Sequence, residues 1–181
     1  MFRKLMTVAA LATVSASVAT AQATEGAATG PAARPFTFGA FAGAAVPMGD
    51  FADAAKMGFS VGGNVGYTVA GLPVRFRLDG EYNQYSKKNS IGGGRLFSVT
   101  GNVVYDLPVQ SAFRPYVLAG AGLYNVKPKG FDAENAFGFV GGAGVSIPLS
   151  GFDTYLEARY NQASKNGGKT QYVPVVFGIR F

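Results

Sequence analysis

The sequence predicts an all-β protein: an eight-stranded antiparallel, up-and-down transmembrane β-barrel preceded by a signal peptide. Three observations lead there. Eight segments of roughly 10 to 14 residues alternate apolar and polar side chains with period two. In the clearest of them, charged residues occupy the face opposite the apolar one. The connections alternate between short turns and longer polar loops, as in a barrel that crosses a membrane.

The segments are 35–46, 58–69, 73–85, 96–107, 113–126, 136–147, 153–163 and 170–181. The first, fifth and sixth are rich in Gly and Ala, and the pattern leaves their facing open. The second sets Phe59, Val61, Val65, Tyr67 and Val69 against Ser60, Gly62, Asn64 and Thr68. The third is the clearest, with Val74, Phe76, Leu78 and Tyr82 against Arg75, Arg77, Asp79, Glu81 and Asn83. The fourth sets Phe97, Val99, Val103, Tyr105 and Leu107 against Ser98, Thr100, Asn102 and Asp106. The seventh sets Leu156, Ala158 and Tyr160 against Tyr155, Glu157, Arg159 and Asn161. The eighth carries Val173, Val175, Phe177, Ile179 and Phe181 on one face and Tyr172, Pro174, Val176, Gly178 and Arg180 on the other. Lengths of about 9 to 11 residues suffice for a tilted strand to cross a bilayer.

The connections 70–72, 108–112 and 148–152 are short and hold few charges. Those at 47–57, 86–95, 127–135 and 164–169 are longer and polar. An even strand number places both termini on the side of the short turns, which makes that side periplasmic and the long loops external. Phe59, Tyr82, Phe97, Phe137 and Tyr160 lie toward the long-loop end of the apolar faces. Tyr67, Phe76, Tyr105 and Phe181 lie toward the other end. Two such girdles are expected at the two membrane interfaces.

Export is read from the N-terminus. Arg3 and Lys4 precede an apolar stretch from Leu5 to Val18, and Ala21-Gln22-Ala23 is a small-residue cleavage site. Residues 1–23 are therefore expected to be a signal peptide, 24–34 a disordered lead-in and 35–181 the barrel domain. The chain has no Cys, so backbone pairing and packing must hold an exported domain without disulfides. Its formal charge of +6 falls to +4 once Arg3 and Lys4 are removed.

Arg75, Arg77, Arg159 and Arg180 share the inward parity with Asp79, Glu81, Asp106 and Glu157. The interior of an eight-stranded barrel is just wide enough to be filled by side chains. Charges buried there require partners, because desolvation costs several kcal/mol per ion. A salt-bridge network is expected across the lumen, with Glu157 as the partner of Arg180 and with hydrogen bonds from Tyr155, Asn83 and Asn102. Inward Gly62, Gly66, Gly142, Gly144 and Gly178 leave room for small wet cavities. The remaining cations, among them Lys87, Lys88, Arg95, Lys127, Lys129, Lys165 and Lys169, fall in the expected loops. Such a rim suits the anionic headgroups of outer-membrane lipid, lipopolysaccharide phosphates included.

Motifs of catalysis are lacking. Gly167-Gly168-Lys169-Thr170 resembles the tail of a P-loop, but its first Gly position is Ala163 and a strand follows where a helix is required. Without His, neither Ser–His chemistry nor a His-based metal centre can be built. Asp79 and Glu81 share a face but sit beside arginines. The expectation is a protein that is not an enzyme, with no cofactor, no metal and no nucleic-acid partner.

Taken together, the signal peptide, the eight-strand rhythm, the fifth-segment run Arg114-Pro115-Tyr116-Val117-Leu118-Ala119-Gly120-Ala121-Gly122 and the closing Phe181 resemble the small outer-membrane β-barrels of the OmpA/OmpX/Ail type. The resemblance implies the outer membrane of a Gram-negative-type (diderm) bacterium. It also implies biogenesis through periplasmic chaperones and the barrel-assembly machinery. Tyr172, Phe177, Ile179 and Phe181 stand where the family carries its assembly signal. No peptidoglycan-binding domain follows the barrel in this sequence. Members serve structural, adhesive or serum-resistance roles. Three functions follow: a monomeric barrel with a structural or surface-binding role, a narrow channel for ions or small solutes, or a soluble periplasmic barrel that carries a lipophile inside.

Overall fold

The computed structural model describes residues 35–181 apart from 88–92, 110, 131, 166 and 167. The expected signal peptide and lead-in lie outside the described residues. In chain order the elements are β1 (Phe36–Met48), α1 (Asp50–Ala54), β2 (Ala55–Thr68), β3 (Val74–Lys87), β4 (Gly94–Asp106), β5 (Arg114–Pro128), β6 (Glu134–Pro148), β7 (Asp153–Lys165) and β8 (Gly168–Arg180). Each strand pairs antiparallel with its sequence neighbours, and β8 pairs with β1 to close the barrel.

The registers fix the barrel's geometry. Phe38 lies opposite Val65, which lies opposite Leu78, and the walk continues through Gly101, Ala121, Phe139, Gln162 and Gln171. It returns to β1 at Met48, ten residues beyond its start at Phe38. That stagger tilts the strands by roughly 40° and leaves a lumen only side chains can fill. At the seam, Phe181 and Phe38 exchange both backbone hydrogen bonds, at 2.8 and 3.0 Å.

Period two decides what each face meets. Along β3, Arg75, Arg77, Asp79, Glu81, Asn83 and Tyr85 point inward and are buried. Phe76 and Leu78 between them are exposed on the outer wall. The same alternation runs through β4, β7 and β8. The outer wall carries Phe38, Phe59, Phe97, Leu123, Phe139, Leu156 and Phe177, all exposed, with Leu123 at 66%. A closed wall of this kind inverts the usual soluble arrangement, with charge inside and apolar surface outside.

Three short turns join strands at the end that holds Phe36 and Phe181. Gly71 (φ 77°) and Gly151 (φ 96°) occupy left-handed positions in two of them, which a side chain would strain. The longer connections are shorter than expected, because strand pairing continues past the apolar belt. Backbone hydrogen bonding does not depend on side-chain polarity, so the ladder runs on into the polar zone. As a result Arg95, Lys127 and Lys169 are strand residues rather than loop residues. Lys87 and Lys165 end β3 and β7, Lys129 sits in a turn, and Lys88 lies outside the described residues. The expected loop at 47–57 contains α1 and the start of β2.

Candidate functional site: the lumen and its outer mouth

The lumen is filled in three layers. At the end with the short turns, two ion pairs join neighbouring strands. Arg75 of β3 donates to both oxygens of Asp106 of β4, at 2.7 and 2.6 Å. Arg180 of β8 donates to Asp153 of β7. This corrects the expected partner of Arg180. Asp153 lies directly opposite Arg180 in the β7–β8 register. Glu157 is two inward positions further along β7 and is engaged elsewhere. The Asp153 side chain was legible from its parity with Tyr155 and Glu157.

The middle layer spans the barrel. In a ring of eight strands β3 and β7 stand across from each other, and their charges cross the lumen in both directions. Arg77 of β3 donates to both oxygens of Glu157 of β7, at 2.8 and 2.9 Å, and to Asp79 at 2.9 Å. Arg159 of β7 reaches back to Glu81 of β3 at 2.5 Å and lies 3.6 Å from Asp79. All five side chains are at least 97% buried. Bidentate, charge-assisted geometry is what makes an ion pair tolerable out of water.

Neutral donors complete the belt. Asn83 donates to Glu81 at 2.7 Å and Asn102 to Asp79 at 2.5 Å. Tyr116 donates to Glu157 at 2.7 Å, a partner the sequence did not suggest. Tyr155 instead accepts from Asn64 at 2.9 Å and stays outside the ion network. The Arg75 and Arg159 guanidinium groups also lie over the Tyr116 and Phe41 rings, at 5.6 and 4.8 Å from the centroids.

The inward glycines do not leave wet cavities at the places expected. A Cβ on Gly62 would strike the Phe41 ring, one on Gly144 the Tyr116 ring, and one on Gly178 the Tyr155 ring. One on Gly142 would press on Arg159, and one on Gly66 on Thr37. Gly62, Gly144 and Gly178 are the hollows into which a neighbouring strand lays an aromatic ring.

The outer layer is apolar. Ala45, Ala55, Tyr85, Leu96, Tyr124, Ala163 and Tyr172 form one buried cluster across the lumen, with Phe51 of α1 packed on it. Phe51 meets Tyr85 edge to face at 4.8 Å, and Tyr85 meets Tyr172 at 6.1 Å. Above the belt the lumen is therefore closed by rings, a layer sequence reasoning missed. Tyr172 had the right parity, but its convergence with residues of six other strands depends on the stagger.

On the outer wall, Phe177 and Phe181 face outward, and Phe181 packs on Phe152 at 5.9 Å. Ile179 shares their parity. Tyr172 of the same expected assembly motif faces the lumen. At the opposite end a polar row follows the aromatic girdle: Gln171 donates to Tyr160 and Gln162, and Asn125 to Asn135. Among the described residues no group of three or more acidic, His or Cys side chains is placed to hold a metal.

The family described as the outer membrane protein beta-barrel domain matches residues 6–181. No curated protein matches significantly. Among solved structures, Neisserial surface protein A superposes with a TM-score of 0.67 at 23% identity, covering 81% of this chain and 96% of that one. The N-terminal barrel domain of Pseudomonas aeruginosa OprF superposes at 0.52 with 19% identity, covering 81% and 96%. Both likenesses are of fold.

Proposed function

We infer the function from a premise: the chain belongs to the outer membrane protein beta-barrel domain family. We propose that it is an integral, monomeric barrel of a diderm outer membrane, exported through a signal peptide cleaved after Ala23. Periplasmic chaperones and the barrel-assembly machinery bring it there, with Phe177, Ile179 and Phe181 in the recognised strand. Its role is structural or surface-contacting, adhesin-like, without catalysis or cofactor. The cations at the outer end meet anionic headgroups, lipopolysaccharide phosphates among them.

The observation that carries this reading is the inversion of polarity. Ion pairs fill the inside, and an apolar band bounded by aromatic residues covers the outside. A carrier of a lipophile needs an apolar interior, so the soluble-carrier alternative lacks its cavity. The layers of ion pairs and rings argue for a plugged lumen over a channel. Fractionation tests the reading. The protein should stay with the outer membrane through carbonate and high salt, leave only with detergent, and migrate differently on gels before and after heating. Release without detergent would sink it.

A further inference from the structure

The three turns at the end that holds Phe36 and Phe181 are apolar, whereas turns that face water are ordinarily built from polar residues with Gly and Pro. Residues 69–73, 107–113 and 148–152 contain no Asp, Glu, Lys or Arg. Their exposed side chains include Leu72, Val109, Phe113, Leu149 and Phe152, with Leu72 at 59%. Backbone donors in these turns bond within the turn: Leu72 to the Val69 carbonyl, Val109 to Leu107, Ser111 to Val109 and Leu149 to Phe152, at 2.8 to 3.2 Å. Little in them calls for water.

The charges beside the turns are paired off, Arg75 with Asp106 and Arg180 with Asp153. Arg114 is the one charged side chain at this end without an ion-pair partner among the described residues. The opposite end differs, with Asp50, Asp53, Arg95, Lys127, Lys129 and Asp132 on its strand ends and connections. The apolar wall also runs into the turns without a polar break, since Phe152 packs on Phe181 at 5.9 Å between ring centroids. Depth agrees. Leu149–Phe152 project two residues past the last ladder pair, Pro148 and Asp153. Two residues reach roughly 6 Å. One interfacial layer is about that thick, because a bilayer of about 40–45 Å has a hydrocarbon core of about 30 Å.

We propose that these three turns are seated in the periplasmic leaflet of the outer membrane, among its phospholipid headgroups, and do not project into the periplasm. The proposal rests on the outer-membrane reading above and adds the barrel's vertical position: sunk at the periplasmic end, raised at the external one. A large exposed apolar surface marks a contact. Here the surface is continuous with the lipid-facing wall and uncharged, so its occupant is lipid. Arg114 then stands at the depth of the lipid phosphates. Contacts with water-borne partners belong to the external end.

The chain has no Trp, so a single Trp reports on one position. Leu72→Trp, Val109→Trp and Leu149→Trp are made singly in the full chain. Leu123→Trp on the lipid-facing wall and Lys129→Trp in an external turn serve as references. Each is placed in phosphatidylcholine nanodiscs at one barrel per disc, and quenched by aqueous acrylamide or by lipid brominated near the headgroup. Brominated lipid should at least halve the emission of the three turn variants and of Leu123→Trp. Acrylamide should quench the turn variants at least threefold less than Lys129→Trp. Because Trp itself favours membrane interfaces, Leu72→Cys and Leu149→Cys provide a second measurement in a chain without Cys. A water-soluble maleimide should label them at least tenfold more slowly than Lys129→Cys. Acrylamide quenching equal to that of Lys129→Trp, or equal labelling rates, would overturn the seat in the leaflet; Leu123→Trp still quenched by lipid would then leave the membrane reading standing. Protection that appears only with two barrels per disc would assign the turns to a second copy and overturn it as well. If Leu123→Trp also escapes the bromine, the membrane reading fails with it.

Discussion

Arg77 and Glu157 face each other across the lumen and share two hydrogen bonds, 2.8 and 2.9 Å long, with neither side chain reaching water. Their strands, β3 and β7, are as far apart as the ring allows, so the pair is a strut across the barrel. It belongs to a belt of two guanidinium groups, Arg77 and Arg159, and three carboxylates, Asp79, Glu81 and Glu157. The imbalance makes the two kinds of residue unequal. Removing an arginine leaves an excess of buried negative charge, whereas neutralising one carboxylate evens the count. Arg77→Met and Arg159→Met should each cost about 3–5 kcal/mol. Glu157→Gln should cost distinctly less. Urea unfolding in phospholipid vesicles, followed by gel migration because the chain has no Trp, checks the ranking; equal losses would contradict it.

Glycines on the two faces should respond oppositely to a methyl group. A Cβ at Gly144 would fall 2.5 Å from the Tyr116 ring, whose hydroxyl is fixed on Glu157. Gly144→Ala and Gly178→Ala should each cost about 1–3 kcal/mol through overpacking. Gly80 and Gly101 face outward with nothing within 4 Å. Gly80→Ala and Gly101→Ala should leave stability unchanged or raise it by up to about 1 kcal/mol. The same vesicle unfolding assay measures all four.

The apolar band can be probed by charge. Val99 lies on the outer wall near the middle of β4, and Gln171 lies in the polar row at the outer end. Val99→Arg should cost about 2–4 kcal/mol and Gln171→Arg at most about 1 kcal/mol. Equal costs at both depths would remove the membrane from the explanation.

Phe181 closes the seam with Phe38 through the backbone and packs its ring on Phe152. Deleting it should reduce the amount of heat-modifiable barrel reaching the outer membrane. The stability of barrel folded in vitro should change little, since β1 and β8 keep their remaining pairs. Unchanged insertion in cells would count against the assembly role.

Much of this was legible in the chain because a charge and a bulky apolar side chain rarely share a face. β3 announces both its faces, and so do β4, β7 and β8. The Gly/Ala-rich strands hide theirs, since glycine suits either side. Only the pairing shows that Phe41 and Tyr116 point inward, and that each of them, like Tyr155, lies over a glycine next door. The partner of Arg180 needed the β7–β8 register, which parity along a single strand does not give. The ring layer of Tyr85, Tyr124 and Tyr172 needed the ten-residue stagger. Parity is local and can be counted along one strand; convergence across a lumen is set by all eight together.

The central claim is that this lumen is sealed, by the crossed ion pairs in its middle and the rings above them. Conductance of the purified barrel in a planar lipid bilayer addresses it most directly. The wild-type chain should show no reproducible unitary current, and opening both layers together with Arg159→Ala and Tyr172→Ala should produce one. Steady single-channel steps from the wild-type protein, abolished by denaturing it, would contradict the account.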